Sequence, residues 1–205
     1  MPGRPIPEAR IAELRLAADP AAWERAGFAV DDGAFTVGSV PIRLGAETGW
    51  TLTGLPAPEL DGLPTQIVFS SAEPEAGEHP IGATRIDHLV VLTPALERTT
   101  AAFERAGIRC RRVREDGGPT GDMRQAFFRF GEVIVEAVEA PGDQLGSADP
   151  ARFWGLTFAV TDLDRAAAQL GGLCGSIRDA VQPGRRIAPL KREAGLGLPV
   201  ALISD

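Results

Sequence analysis

The sequence predicts an α+β protein built from repeated βαβββ units, and three observations support this. Residues 86–139 contain a strand pattern, a helix pattern and then three further strand patterns. The same order starts again at residue 155, and the two copies align without a gap when His88 is placed over Gly155. Residues 10–44 contain a shorter version of the pattern. A chain of 205 residues can bury a core in one large domain or in two small repeated ones.

The first complete unit begins with a strand. Residues 86–92 are an apolar, β-branched run of strand length. Thr93 and Pro94 then predict a helix start, with the Thr93 hydroxyl as N-cap, and Gly107 ends the helix. The other three strands lie in stretches 108–114, 123–130 and 133–139, the last two joined by a tight turn.

The second unit follows the same order. Residues 155–160 predict a strand, Thr161 or Asp162 caps the next helix, and a glycine pair closes it. The last strands of the two units align with Glu136 opposite Ala201. Two strands between the helix and the last strand are expected within 176–183 and 185–192.

Four segments follow from these patterns. Residues 1–58 form an N-terminal degenerate, module-like region that includes a hairpin with a turn at Gly38 and Ser39, and residues 59–84 form a connector rich in Pro, Gly and Glu. Residues 85–141 form one βαβββ module and residues 153–205 form the second.

Composition excludes several classes of protein. No apolar run approaches the roughly 20 residues that cross a bilayer, and no secretion signal precedes the first strand, so we expect a cytoplasmic protein. The net charge of −7 argues against nucleic-acid binding. Two lone cysteines, Cys110 and Cys174, fit a reducing compartment. The chain has no Asn and a single lysine, Lys191, a bias typical of a GC-rich bacterial genome.

Paired βαβββ units that open with a strand histidine, IDHLVV, and end with a strand glutamate, VIVEAVEAP, resemble the vicinal oxygen chelate (VOC) superfamily. This superfamily includes glyoxalase, bleomycin-resistance and dihydroxybiphenyl dioxygenase-like proteins, and the nearest resemblance is to glyoxalase-like members of unassigned activity. The resemblance covers residues 85–204. It implies two modules side by side whose curved sheets form a cleft, and in the metalloenzymes each module supplies two ligands to one divalent metal.

The resemblance carries over to only half of a metal site. His88 and Glu136 match the ligand positions of the first module, whereas Gly155 and Ala201 occupy those of the second and have no donor. Two ligands alone hold a metal weakly. Three alternatives remain for the pair: a partial metal site completed by water or substrate, a metal-free acid–base dyad, or a structural pair. The only other histidine, His79, lies in the connector.

Four further residues are candidates for substrate binding. Arg124 and Arg186 would contact an anionic small molecule, and the alternative is that they are solvated on outer faces. Trp154 would form an apolar pocket wall beside Gly155, whose missing side chain leaves room for substrate. The alternative for Trp154 is a core position. The carboxylate of Glu136, in an apolar run, needs a partner, for which we expect His88 or an arginine.

The resemblance implies, as the first of three hypotheses, an enzyme of glyoxalase-like or dioxygenase-type ancestry, a lyase, isomerase or dioxygenase. It would act on a small, oxygen-rich molecule in the cleft between modules, with His88 and Glu136 as ligands or acid–base groups. The alternative is a metal-free protein that binds or sequesters a small molecule, as bleomycin-resistance proteins do. A third possibility is a non-catalytic interaction module. Each of these three hypotheses is compatible with either a monomer or a homodimer.

Overall fold

The computed structural model describes residues 8–56, 59–69, 74–117, 123–140 and 145–205. The fold is α+β, with each α-helix followed by several strands, and one order of elements repeats. The first third contains β1 (Arg10–Ala17), α1 (Pro20–Arg25), β2 (Ala34–Val37), β3 (Val40–Gly45), β4 (Gly49–Thr53) and β5 (Thr65–Ile67). The middle contains β6 (Ala83–Thr93), α2 (Leu96–Arg105), β7 (Arg112–Gly117), β8 (Met123–Phe130) and β9 (Val133–Glu139). The last part contains β10 (Arg152–Val160), α3 (Leu163–Leu170), β11 (Arg178–Asp179), β12 (Arg186–Pro189) and β13 (Val200–Ser204).

The chain divides into two compact units. Unit 1 consists of Met1–Ala12, Gly49–Ala72 and Val90–Phe153, and unit 2 consists of Glu13–Thr48, Glu73–Leu89 and Trp154–Asp205. Three strands, β1, β6 and β10, contribute residues to both units. Each unit therefore contains segments that are distant in sequence.

Unit 2 contains one complete and one shortened version of the same topology. Its strand orders are β2-β3-β1 and β11-β12-β13-β10-β6. In both versions the first strand is parallel to the last, β1 to β3 and β10 to β13. The last strand is antiparallel to the one before it, β3 to β2 and β13 to β12. Residues 26–33 replace a strand with a short loop, so the first copy is the shortened one.

Aromatic rings fill the core of unit 2. Asp19 caps α1 by accepting a hydrogen bond from the Ala21 amide, and this short helix carries Trp23 into the interior. The Trp23 ring lies 5.0 Å from Phe28 and 5.9 Å from Phe158, measured between centroids. Residues from both versions of the topology thus share one core.

Unit 1 contains the other complete module. Its strand order is β6-β9-β8-β7, and β4 is parallel to β5. The buried face of α2 places Phe103 4.7 Å from Phe128. Trp50, on β4, lies 5.1 Å from both Phe130 and Phe153. The apolar spacing along α2 and the strand alternation account for this core.

The ends of elements differ from the prediction in detail. The helix α2 begins at Leu96, so Thr93 is not its N-cap; the Thr93 hydroxyl instead accepts a hydrogen bond from the Ala95 amide at 3.1 Å. The Leu96 amide donates to Glu139 at 3.1 Å. At α3 the sequence left two caps open, and the structure selects Asp162, which accepts a hydrogen bond from the Arg165 amide. None of the described helices is long and apolar enough to cross a membrane.

Candidate functional site

His88 lies on β6 in unit 2, and its imidazole is held at both nitrogens. Nδ1 is 2.9 Å from Oδ2 of Asp87. Nε2 is 2.9 Å from the hydroxyl oxygen of Thr157. Thr157 lies on the neighbouring strand β10 and is 4% exposed, whereas the His88 side chain is 18% exposed. The three side chains form a continuous hydrogen-bonded chain.

Asp87 is fixed in its charged form. Its Oδ1 accepts a hydrogen bond of 2.7 Å from Nη1 of Arg185, and Nε of Arg185 donates to the Ser204 carbonyl at 2.7 Å. Burial by itself would raise the pKa of Asp87, but the hydrogen bonds from His88 and Arg185 outweigh it and lower the pKa to about 2. Asp87 is therefore an anion at neutral pH.

The charge on Asp87 decides which His88 nitrogen carries hydrogen. An ionised carboxylate only accepts hydrogen bonds, so Nδ1 of His88 is the donor to Asp87. In the neutral imidazole, Nε2 then accepts the hydrogen of the Thr157 hydroxyl. After protonation Nε2 donates to the same oxygen, because a hydroxyl rotates and has lone pairs. The arrangement therefore accommodates both protonation states of the imidazole.

Glu136 lies in the other compact unit. It is on β9 in unit 1, and its carboxylate accepts a hydrogen bond of 2.5 Å from the side-chain amide of Gln125 on β8. Gln125 is buried, at 8% exposed. One partner of this carboxylate is thus a side-chain amide. The pairing of His88 with Glu136, as ligands or as a dyad, remains a prediction.

His79 is a core histidine of unit 2. Its Nδ1 accepts a hydrogen bond from the Ala29 amide at 3.1 Å, and its Nε2 donates to the Thr36 carbonyl at 2.8 Å. The ring lies between Phe28 and Phe35. Burial lowers the pKa of His79, and the bond to Thr36 only partly opposes this. A metal could bind His79 only by replacing a backbone hydrogen bond.

The described residues at the positions that match the VOC ligands supply too few donors to hold a resident metal by themselves. Gly155 and Ala201 supply no donor, and a Cβ on Gly155 would lie 3.2 Å from the Pro199 carbonyl oxygen, which occupies the space beside it. Within the ranges that the structure describes, no three His, Cys, Asp or Glu side chains are grouped as metal ligands. A four-ligand or three-ligand site requires more donors than this.

The two arginines chosen from the sequence are both engaged by carboxylates. Arg124, in unit 1, contacts Glu97 at 2.6 Å, Glu115 at 2.8 Å and Glu139 at 3.2 Å. The hydrogen bond to Glu97, followed by that to Glu115, raises the pKa of Arg124. Arg186, in unit 2, forms a bidentate pair with Asp164, at 3.0 and 2.5 Å.

Trp154 has an open side chain. It is 43% exposed at the start of the unit 2 segment of β10, so it is not a core residue. An exposed indole at a strand end is available for an apolar contact. Its role in binding remains a prediction.

Sequence reasoning did not select Asp87, Thr157 or Arg185 as site residues, although it noted both arginines after the turn at 183–184 and preferred Arg186. Asp87 directly precedes the histidine in IDHLVV, Arg185 is the neighbour of the chosen Arg186, and Thr157 is the polar residue in the apolar run 156–160. Each had a local signal: an acid beside a histidine, an arginine after a turn, and a hydroxyl in a buried strand. Their convergence depends on strand pairing, which the sequence does not display.

Comparison with solved structures identifies the fold. A xylose isomerase-like TIM barrel/4-hydroxyphenylpyruvate dioxygenase fusion protein matches with a TM-score of 0.63 and 14% identity, over 100% of this chain and 51% of that one. The chain has a VOC-type fold. It spans about half the length of that fusion protein. No family model and no curated protein matches the sequence.

Shorter VOC proteins match part of the chain. The methylmalonyl-CoA epimerase from Mycobacterium tuberculosis has a TM-score of 0.48 and 14% identity, over 60% of this chain and 89% of that one. A methylmalonyl-CoA epimerase in complex with methylmalonyl-CoA and ammonium has a TM-score of 0.45 and 19% identity, over 60% and 95%. The order of the elements and the match to the fusion protein confirm the α+β fold with repeated modules that the sequence predicts.

Proposed function

We propose that this VOC-type protein moves a proton to and from a small, oxygen-rich molecule, with His88 as the acid–base group. The observation that carries the proposal is the hydrogen-bonded chain Asp87–His88–Thr157, with 2.9 Å at each imidazole nitrogen. A carboxylate on Nδ1 fixes the tautomer and stabilises the imidazolium that forms when Nε2 takes a proton. A molecule that reaches the partly exposed imidazole replaces the Thr157 hydroxyl at Nε2.

The reaction class that fits this group is proton transfer next to a carbonyl. Nε2 of His88 takes a proton from the carbon, the C–H electron pair moves into the carbonyl to give an enolate, and the imidazolium returns the proton to carbon. Isomerisation and elimination both begin with this step, in keeping with a glyoxalase-like isomerase or lyase. Asp87 acts as a positioning residue because it contacts His88 rather than the substrate.

The side chain of Arg185 favours a ligand that is oxygen-rich and anionic. Its Nη2 is buried and has no hydrogen-bond partner among the residues that the structure describes. A buried donor that has no hydrogen-bond partner destabilises the folded protein by about 1–3 kcal/mol. We assign this donor to an oxygen of the substrate, and the guanidinium charge favours a carboxylate or enolate there. Trp154 is proposed as the apolar contact in the same unit.

The test measures hydrogen exchange at carbon. Small 2-oxo carboxylates, hydroxyketones and thioesters would be incubated with the protein in D₂O, and loss of the carbon-bound proton would be followed by NMR. We expect His88→Gln to slow the catalysed exchange at least about 100-fold. Asp87→Asn should also slow it, and Arg186→Gln, which alters a pair outside the chain, should not. Exchange unaffected by His88→Gln would contradict the proposal.

Metal-free sequestration is the second candidate function. It is favoured by Gly155 and Ala201, which leave the second module without donors, and by the hydroxyl that already satisfies Nε2 of His88. A ligand would then raise the melting temperature by mass action without being converted. Chemical conversion of that ligand would exclude sequestration.

Elemental analysis tests the metal directly. Protein purified without chelator would be exposed to Mn, Fe, Co, Ni and Zn and analysed by plasma mass spectrometry. The metal-free proposals predict substoichiometric metal in the wild type. Near-stoichiometric metal that disappears in His88→Ala would contradict both and establish a site that includes His88.

A further inference from the structure

A loop in unit 2 whose ends are hydrogen-bonded to each other lines a cavity. The cavity contains none of the residues of the Asp87–His88–Thr157 chain. The Leu190 amide donates to the Val200 carbonyl at 2.8 Å, so the ends of the loop 191–199 are joined. Residues 190–192 and 195–200 line a cavity of about 640 Å³. This volume is within the roughly 300–1,000 Å³ of small-molecule sites. Compact loops with joined ends are frequently functional.

The loop is fixed to the body of unit 2. The Lys191 amide donates to the Leu173 carbonyl at 2.8 Å, and Ala194 and Leu196 are each 4% exposed. The backbone of Gly197, with φ +79°, packs so closely on the Ala17 carbonyl that no Cβ would fit. Glycine is required there by both conformation and contact. The cavity is therefore preformed.

The lining combines an apolar surface with positive charge. Apolar side chains are contributed by Leu190, Leu196, Leu198, Pro199 and Val200. Lys191 and Arg192 are the charged lining residues, and no carboxylate lines the cavity; Glu193, which follows Arg192 in sequence, is not among the lining residues. In the described part of the chain neither cation has an ion-pair partner, in contrast to Arg185 and Arg186.

Lys191 and Arg192 bring two positive charges together at an apolar cavity, in a chain whose net charge is −7. Apolar surface gains free energy when a ligand covers it. Ammonium and guanidinium groups bind carboxylate and phosphate oxygens through charge-assisted hydrogen bonds. The lining thus matches a molecule that has both an apolar body and an anionic head.

We propose that the 190–200 cavity binds a small amphipathic organic anion, with its apolar body against the leucines and its oxyanion head at Lys191 and Arg192. None of the lining residues belongs to the Asp87–His88–Thr157 chain. The cavity therefore has no residue in common with the proposed proton-transfer site. A carboxylate and a phosphate head share this chemistry, and the experiment separates them.

Calorimetric titration of the full chain tests the site. Hexanoate, hexyl phosphate and hexan-1-ol would be added in turn, and the tighter of the two anions identifies the head group. We expect that anion to bind at least roughly tenfold more tightly than hexan-1-ol. The variant Lys191→Ala/Arg192→Ala should weaken it by roughly tenfold or more and leave hexan-1-ol unchanged.

Matched variants keep the test specific. Arg165→Ala/Arg178→Ala removes the same charge from two exposed arginines of unit 2 outside the cavity and should change the affinity less than about twofold. His88→Ala should leave binding unchanged, which separates this site from the proposed function. Equal binding of alcohol and anions, no saturable binding at millimolar concentration, or equal losses in both double variants would overturn the proposal.

Discussion

The Pro199 carbonyl oxygen lies 3.2 Å from the position that a Cβ on Gly155 would occupy. The Leu156 amide donates to the same oxygen at 3.0 Å. Strand β10 therefore holds the end of the cavity loop through a close backbone approach that glycine permits. The absence of a side chain at Gly155 lets the backbone at Pro199 approach closely, and the role of Gly155 in substrate binding remains a prediction.

Replacing Gly155 with Ala should destabilise the protein. The added methyl group must displace the Pro199 carbonyl by a few tenths of an ångström, and we expect a loss of about 1–2 kcal/mol in the free energy of unfolding. Urea denaturation measures it. The control is Gly172→Ala, because a Cβ there would have no atom within 4 Å. We expect the control to change stability by less than about 0.5 kcal/mol, and equal effects would contradict the packing argument.

The fold could be predicted because its signals are local. The runs that became β6 and β10, the helix faces of α2 and α3, and the alignment of His88 with Gly155 all depend on short-range periodicity. The shortened first copy was also visible, since its hairpin has a glycine turn. Strand bounds were less accurate: β11 contains only Arg178–Asp179, although a longer strand was expected. Edge-strand length depends on pairing, which is set by tertiary contacts.

The candidate site was predicted only in part. His88 was identified from its position in a strand, but its partner Thr157 lies 69 positions further along the chain. Arg185, which donates to Asp87, lies 98 positions beyond that carboxylate. Both contacts depend on tertiary structure. Arg186 was preferred over Arg185, and sequence alternation gives no criterion for which of two adjacent arginines faces inward. The partners of Arg124 could not be foreseen for the same reason.

Asp87 should stabilise the protein at neutral pH and less so in acid. Its folded pKa is about 2, below the ordinary 3.8, so the unfolded state binds more protons between these values. The contribution, on the order of 2 kcal/mol, is complete above the unfolded pKa and is lost as pH falls through the folded value. Between about pH 5 and pH 3, the free energy of unfolding measured by urea denaturation should fall less in Asp87→Asn than in the wild type. Parallel curves for wild type and variant would contradict this.

His79 should make stability depend on pH in a different range. Burial lowers its folded pKa below the ordinary 6.5, so protonation favours the unfolded state. Its contribution is present above pH 6.5 and is lost as pH falls below it. We expect wild type to lose unfolding free energy between about pH 7.5 and about pH 5.5, and His79→Gln to lose less over that range. The measurement is urea denaturation at both pH values, and an unchanged slope in the variant would refute the assignment.

Arg124 should stabilise unit 1 through charge, and its effect should depend on salt. Its guanidinium contacts three carboxylates, and one of them, Glu139, also accepts a hydrogen bond from the first amide of α2. Arg124→Met keeps the aliphatic length but leaves these carboxylates facing one another. The side chain is 33% exposed, so we expect a loss of about 1 kcal/mol at low ionic strength.

Salt separates charge from packing in this case. At about 1 M NaCl the screening length falls to roughly 3 Å, so the carboxylates repel one another less and the cost of Arg124→Met should shrink. Arg152→Met, an exposed arginine of unit 1, serves as the control and should have little effect at either salt concentration. Urea denaturation of both variants gives the comparison. A loss that does not depend on salt would contradict a charge-based role for Arg124.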